Sequence, residues 1–151
     1  MTKKYAVSLF IAASWFVGCS AETAATAPEA MVYKSPGCLC CDEWAKHLEN
    51  SGFKVKTEMR DDMDQIKAEN GITAELASCH TALIDGYVIE GHVPASDVLR
   101  LLKEKPTDVV GLTAPGMPMQ SPGMQPEGLA PKAYDVIALK KDGSTELFAR
   151  Y

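Results

Sequence analysis

Three cysteines crowd into the segment Cys38-Leu39-Cys40-Cys41, and a fourth, Cys79, stands far along the chain. Cys38 and Cys41 have the C-x-x-C spacing, which serves either a redox dithiol or half of a metal site. Adjacent cysteines rarely bond to each other, so Cys40 has no favourable disulfide partner inside the motif. The extra thiols favour a metal site. The alternative is a Cys38–Cys41 disulfide with Cys40 and Cys79 as small buried hydrophobic residues.

Methionines supply a second group of sulfur atoms. Met117, Met119 and Met124 lie close together in a segment rich in proline and glycine. A thioether carries no proton at ordinary pH, and soft sulfur ligands select Cu(I) over harder divalent ions. Methionine also fills irregular gaps in protein cores, so the loop could instead place these side chains under a sheet. Because loops lie mostly at the surface, the pattern favours a role in copper binding.

The histidines allow several functions. His80 directly follows Cys79, and it could bind a metal or hydrogen-bond the backbone. His92 stands at the end of a predicted hairpin, where we expect it to hold the start of the next helix. His47 is expected on the exposed surface of a helix.

Strands and helices alternate around these residues, as their hydrophobic periodicity and turn signals indicate. The predicted strands cover residues 31–34, 53–58, 81–84, 87–90, 134–140 and 145–151. The predicted helices cover residues 42–50, 64–70 and 95–105, and a loop is expected at 111–131. The order up to residue 105 resembles a thioredoxin-like or glutaredoxin-like domain, that is, a mixed α/β sheet with flanking helices. The loop at 111–131, called the methionine loop here, and the last hairpin would be additions to this domain.

The resemblance to thioredoxin-like proteins implies a position for Cys79. In those proteins a cis-proline loop, at the start of the strand that leads into the hairpin, packs over the cysteine motif. Here His80 stands where those families have the proline, and Cys79 comes just before it. Cys79 would therefore face Cys38 and Cys41 across a groove, and four soft ligands would converge.

The N-terminus has the pattern of an export signal. Residues 1–18 combine a positive start with a short apolar stretch, as in a secretion signal. Residues 16–19 (FVGC) resemble the bacterial lipobox, which implies a lipid on Cys19. Ser20 after it resembles the outer-membrane sorting pattern. Cleavage after Ala21, giving a free periplasmic protein, is the alternative.

The composition is that of a soluble globular domain, with 46% hydrophobic and 23% charged residues. The net charge of −5 and the lack of a Lys/Arg cluster argue against nucleic acid as the main partner. No apolar run reaches the length of about 18 residues that a membrane span needs, so a lipid anchor would be the only membrane contact. Residues 19–30 are predicted to be a flexible tether, and residues 31–151 the folded domain.

Four motifs together resemble one protein family. They are YKSPGCLCC at 33–41, ELASCHT at 75–81, GYVIEGHVP at 86–94, and the pair PGMP and SPGM at 115–118 and 121–124. The chain resembles the CopG-type copper-resistance proteins of the Gram-negative periplasm over residues 31–151. The family implies a thioredoxin-like fold whose cysteines hold copper, with several ions bridged by thiolates, and a role in copper tolerance through interconversion of Cu(I) and Cu(II).

The resemblance also implies a set of ligands. Carried over by position, these are the four cysteines and two methionines: Cys38, Cys40, Cys41, Cys79, Met117 and Met124. Met119 occupies a position that varies in the family, so the resemblance does not assign it a role.

The sequence therefore predicts an exported protein that sequesters Cu(I) or hands it on, with copper ions and other copper-handling proteins of the cell envelope as partners. A metal-free thiol–disulfide oxidoreductase is the main alternative, and whether the chain catalyses copper or thiol redox chemistry stays open. A structural zinc site with four thiolates fits the ligand count but leaves the methionines unexplained.

Overall fold

The computed structural model describes residues 26–151. Within them a seven-stranded sheet is combined with three helices. In chain order the elements are β1 (Glu29–Lys34), α1 (Leu39–Asn50), β2 (Lys54–Met59), α2 (Met63–Glu69), β3 (His80–Ile84), β4 (Tyr87–Gly91), α3 (Ala95–Glu104), β5 (Val109–Ala114), β6 (Asp135–Lys140) and β7 (Thr145–Arg150). The predicted secretion signal, Cys19 and the first part of the tether lie outside the described residues.

The sheet is mixed, with the strand order β2-β1-β3-β4-β5-β6-β7. β1 is parallel to β2 and β4 is parallel to β5, while the other neighbours are antiparallel. Parallel neighbours need a crossover connection, which α1 provides for the first pair and α3 for the second. None of the helices between residues 26 and 151 is both long and apolar enough to cross a bilayer.

The pairing of β1 with β3 determines where the cysteines meet. The two strands are antiparallel, and Lys34 at the end of β1 lies opposite His80 at the start of β3. The chain therefore leaves β1 toward Cys38 at the same end of the sheet at which it enters β3 from Cys79.

The hydrophobic core lies between the helices and the sheet. In α1 the apolar residues recur at helical spacing, so Trp44 and Leu48 are fully buried against the strands. The indole Nε1–H of Trp44 donates to the carbonyl oxygen of Val93 over 2.8 Å, so its one polar group is satisfied. The buried residues of this core from α3 and the central strands include Val32, Ala82, Ile84, Ile89, Val98, Leu101 and Leu112.

The predicted order of elements up to α3 is confirmed, with boundaries that move by a few residues. β1 begins at Glu29, so the last two residues of the predicted tether are paired with β2. The loop predicted for residues 111–131 is wrong at its start, because residues 111–114 belong to β5. Gly111 interrupts the apolar pattern there. A side chain at this position would collide with the carbonyl group of Val88 on β4, so the strand itself requires the glycine.

Candidate metal centre

The clustered cysteines lie at the N-terminal end of α1. Cys38 is the N-cap residue, and Cys40 and Cys41 fall in the first helical turn, where the backbone N–H groups have no partner within the helix. Cys38 and Cys41 form a disulfide, which leaves Cys40 as a free thiol with its Sγ 3.6 Å from that of Cys38. The pairing that the sequence allowed as an alternative is thus present in this state.

Cys79 lies directly opposite this motif, at the entrance to β3. Its Sγ is 4.0 Å from the Sγ of Cys40, and its carbonyl oxygen is 3.9 Å from the Sγ of Cys41. All four sulfur atoms lie within 4.8 Å of one another. The four sulfurs therefore converge as the sequence predicted, although their role as metal ligands stays a prediction.

His92 belongs to the same cluster. Its Nε2 lies 2.9 Å from the Sγ of Cys79, and its Nδ1 lies 2.7 Å from the carbonyl oxygen of Pro122. A carbonyl oxygen only accepts, so Nδ1 carries the hydrogen and Nε2 presents its lone pair to the thiol. Burial lowers the pKa of His92, which keeps the ring neutral.

The function expected of His92 is performed by His47 instead. The N–H of Ala95, the first residue of α3, donates to Nε2 of His47 over 3.0 Å. His47 is half-buried rather than on the exposed surface, and burial lowers its pKa. The expectations for His47 and His92 were therefore both wrong, because α1 packs beside the start of α3 and His92 contacts Cys79 and Pro122 instead.

His80 completes a second group of donors. Its Nδ1 lies 3.5 Å from the Sγ of Cys79, and the ring packs between Trp44 and His92. Burial, with the nearby His92 and Lys67, lowers the pKa of His80 well below its ordinary value. One donor atom from each of Cys79, His80 and His92 lies within 4.8 Å of the others. Cys79 is thus common to both groups.

Sulfur and imidazole donors make up this centre. Burial raises the pKa of Cys79 to about 12, and the neighbouring Cys40 adds to the effect. The Cys79 thiol keeps its proton at neutral pH, so a metal ion would have to displace that proton. The Nε2 of His80 has no hydrogen-bond partner among the described residues, which is costly for a buried polar atom.

The methionine loop is fixed at two points beside the cysteines. At the first, the hydroxyl of Ser78 donates to the carbonyl of Gly116. At the second, the carbonyl of Pro122 accepts from His92. Between these two points Met117 and Met119 are 59% and 70% exposed, so these two do not fill the core. Met124, just beyond Pro122, is half-buried.

Gly123 brings the loop against α1, and its replacement provides a test of this contact. Its φ is +85°, and an added Cβ would lie 2.7 Å from the backbone nitrogen of Trp44 and 2.8 Å from the carbonyl oxygen of Cys40.

Gly123→Ala should lower the free energy of unfolding by about 3 kcal/mol, through strain and collision together. Gly116→Ala is the matched control, because Gly116 has a φ of +72° but open space around it. It should cost only the strain, about 1–2 kcal/mol. Denaturant titration measures both, and equal losses would contradict the packing.

The chain is similar to one family model and to two solved structures. A family model described as "Protein of unknown function, DUF411" matches residues 76–124, which include Cys79, His92 and the methionine loop. No curated protein matches the chain. A solved structure described as copper resistance protein CopG, form 2, is 41% identical, with a TM-score of 0.76 over 83% of this chain and 98% of that one. Form 1 is also 41% identical, with a TM-score of 0.74 over 82% and 96%. The chain belongs to the CopG-type copper-resistance family.

Proposed function

We propose that this chain is an exported copper-binding protein that contributes to copper tolerance and holds Cu(I) through the cysteine cluster. One observation carries the proposal. Four sulfur atoms from two distant parts of the chain lie within 4.8 Å of one another. Thiolate and thioether are the ligands that select soft Cu(I), and imidazole also binds copper. The similar solved structures are described as copper resistance proteins.

A thioredoxin-like scaffold is part of the proposal. Its support is the arrangement of the first four strands, β2-β1-β3-β4, with β1 and β2 parallel and β3 and β4 forming a hairpin. The C-x-x-C motif at the start of α1 also fits this scaffold. The strands β5, β6 and β7 would then be an addition that carries the methionine loop between β5 and β6.

Copper binding would depend on the redox state of the cysteines. With the Cys38–Cys41 disulfide intact, the available donors are Cys40, Cys79, His80 and His92. Reduction of the disulfide would supply two more thiolates and so favour several ions bridged by sulfur. Two Cu(I) ions oxidised to Cu(II) would release the two electrons that convert one disulfide into two thiolates, which links the two redox couples.

The methionine loop is proposed to cover the site or to deliver copper to it. The support is its attachment beside Cys79, through Ser78 at one end and His92 at the other. Met117, Met119 and Met124 would be the loop's ligands. We further propose a periplasmic location, with a lipid anchor on Cys19 in the outer membrane and other envelope copper-handling proteins as partners.

The Cys38–Cys41 disulfide favours a second candidate, a metal-free thiol–disulfide oxidoreductase. The free thiols Cys40 and Cys79 beside it favour the metal site, because idle thiols would invite disulfide exchange. A structural zinc ion is less well supported, since the core around Trp44 is buried without help from the cysteine cluster.

The deciding experiment is anaerobic purification of the reduced protein, with metal analysis and copper X-ray absorption spectroscopy. The wild type should retain copper with sulfur neighbours. Single replacement of Cys38, Cys40 or Cys79 by serine should lower the copper content per chain. The oxidoreductase predicts instead that Cys38→Ser abolishes turnover of a disulfide substrate, while the other two variants are nearly unchanged. A copper-free wild type that turns over disulfides would reject the proposal.

A further inference from the structure

A buried ion pair lies beside the Cys79 segment. Lys67 of α2 and Glu90 of β4 approach to 2.5 Å between Nζ and Oε1, and their side chains are only 10% and 0% exposed. Charges inside a protein are costly unless they are paired and hydrogen-bonded. The further partners of this pair therefore indicate what it does in this fold.

The Glu90 carboxylate binds on both sides of the Cys79-His80 dipeptide. Its Oε1 accepts the backbone N–H of Ser78 over 2.7 Å, and its Oε2 accepts the hydroxyl of Thr81, also over 2.7 Å. Lys67 donates to the Thr81 hydroxyl oxygen over 3.2 Å, which closes the network. A single carboxylate thus fixes the residue before Cys79 and the residue after His80.

The Glu90 side chain accepts a hydrogen bond from a backbone N–H that the sheet leaves without a partner. The pairing of β3 with β4 begins at Thr81 opposite Glu90, so Ser78 lies beyond the ladder and its N–H has the carboxylate as acceptor. Ser78 also donates its hydroxyl to the methionine loop at Gly116. The path of the backbone through Cys79 is consequently held by Glu90 together with the bridge between Ser78 and Gly116.

We propose that Lys67 and Glu90 are positioning residues, which hold the Sγ of Cys79 between Cys40 and His92. Neither Lys67 nor Glu90 belongs to the two groups of donors. They act through the backbone of Ser78 and the side chain of Thr81. The inference presupposes the proposed copper site, but its first test needs no copper. If the ion pair only joined α2 to the sheet, its loss would leave the position of the Cys79 thiol unchanged.

The first test measures alkylation of the metal-free protein with the Cys38–Cys41 disulfide intact. Iodoacetamide then competes for Cys40 and Cys79, and peptide mass spectrometry gives the rate at each. Glu90→Gln and Thr81→Val should each raise the rate at Cys79 relative to Cys40 about tenfold, as loss of a charge-assisted hydrogen bond loosens the segment. Glu146→Gln is the matched control, because Glu146 pairs with Lys140 at 2.6 Å on the surface hairpin. It should change neither rate.

The second test is a double-mutant cycle for Cu(I) affinity in the reduced protein, measured by competition with a chelator. Glu90→Gln should weaken binding about 10–100-fold when Cys79 is present, and should have no further effect in a Cys79→Ser background. The same loss in both backgrounds, or an unchanged alkylation ratio, would overturn the positioning function.

Two further outcomes also have a defined interpretation. If Glu90→Gln does not fold, Thr81→Val is used in both tests, since valine keeps the shape and replaces only the hydroxyl by a methyl group. If the wild type binds no copper, the proposed function fails, while the alkylation ratio still decides whether Glu90 positions Cys79.

Discussion

Replacement of Cys79 by serine is expected to lower the Cu(I) affinity of the reduced protein about 100-fold, at least as much as the loss of an outer-shell partner costs. Cys79 is the one residue shared by both groups of donors, the four cysteines and the Cys79–His80–His92 set. Serine keeps the size of the side chain but offers a hard oxygen, which suits Cu(I) poorly. Chelator competition under anaerobic conditions gives the affinity of wild type and variant.

Cys40→Ser serves as the comparison for this result. Cys40 belongs to only one of the two groups, so its variant should retain the sulfur and both imidazoles around Cys79. We therefore expect a smaller loss than for Cys79→Ser. Circular dichroism should be the same for both variants, because neither cysteine belongs to the hydrophobic core. Equal affinities for wild type and Cys79→Ser would reject the copper site as described.

Reduction of the Cys38–Cys41 disulfide is expected to increase both the number of Cu(I) ions bound and their affinity, by about tenfold or more. A disulfide sulfur is a poor metal ligand, whereas a thiolate is a strong one, and reduction doubles the number of free thiols in the cluster. The check is copper uptake by the oxidised protein and by the protein reduced and then freed of reductant, both without oxygen.

The Cys38→Ser/Cys41→Ser double variant is the control for the reductant itself. It has no disulfide to open, so its copper uptake should be the same before and after treatment. It should also resemble the oxidised wild type, since Cys40, Cys79 and the two histidines are unchanged. Identical uptake by oxidised and reduced wild type would mean that Cys38 and Cys41 take no part in binding.

The sequence was sufficient to predict the order of elements up to α3, because its local signals there agree with the tertiary structure. Trp44 and Leu48 have the spacing of one helix face, and both are fully buried in α1. Asp85-Gly86 predicts the turn between β3 and β4, and both residues have positive φ there. The convergence of Cys79 with the cysteine motif was also accessible, through the resemblance to thioredoxin-like proteins, in which the loop before this strand packs over the cysteine motif.

The participation of His92 was missed, although a signal for it was present. The tight Asp85-Gly86 turn fixes the register of β3 and β4, with Thr81 opposite Glu90. Extended by two residues beyond the paired strands, the same register would place Cys79 opposite His92. A prediction that extended the hairpin beyond its apolar residues would have placed this imidazole beside the thiol.

Other features depend on contacts that local sequence does not report. β5 was predicted only as part of a loop because Gly111 breaks its apolar pattern, and the reason for that glycine is the closeness of Val88 on the neighbouring strand. The Lys67–Glu90 pair joins α2 to β4 across 23 positions of the chain. Neither residue type predicts burial, so only the fold identifies the pair.

The hydrogen bond from His92 to Pro122 has a consequence for how the protein tolerates sequence change. Its acceptor is a main-chain carbonyl, which every amino acid possesses. The tautomer of the imidazole is therefore indifferent to which side chain occupies position 122 and sensitive to the course of the backbone there. Insertions or deletions between Met117 and Gly123 should impair copper handling more than point substitutions at the non-glycine, non-methionine positions of the same stretch.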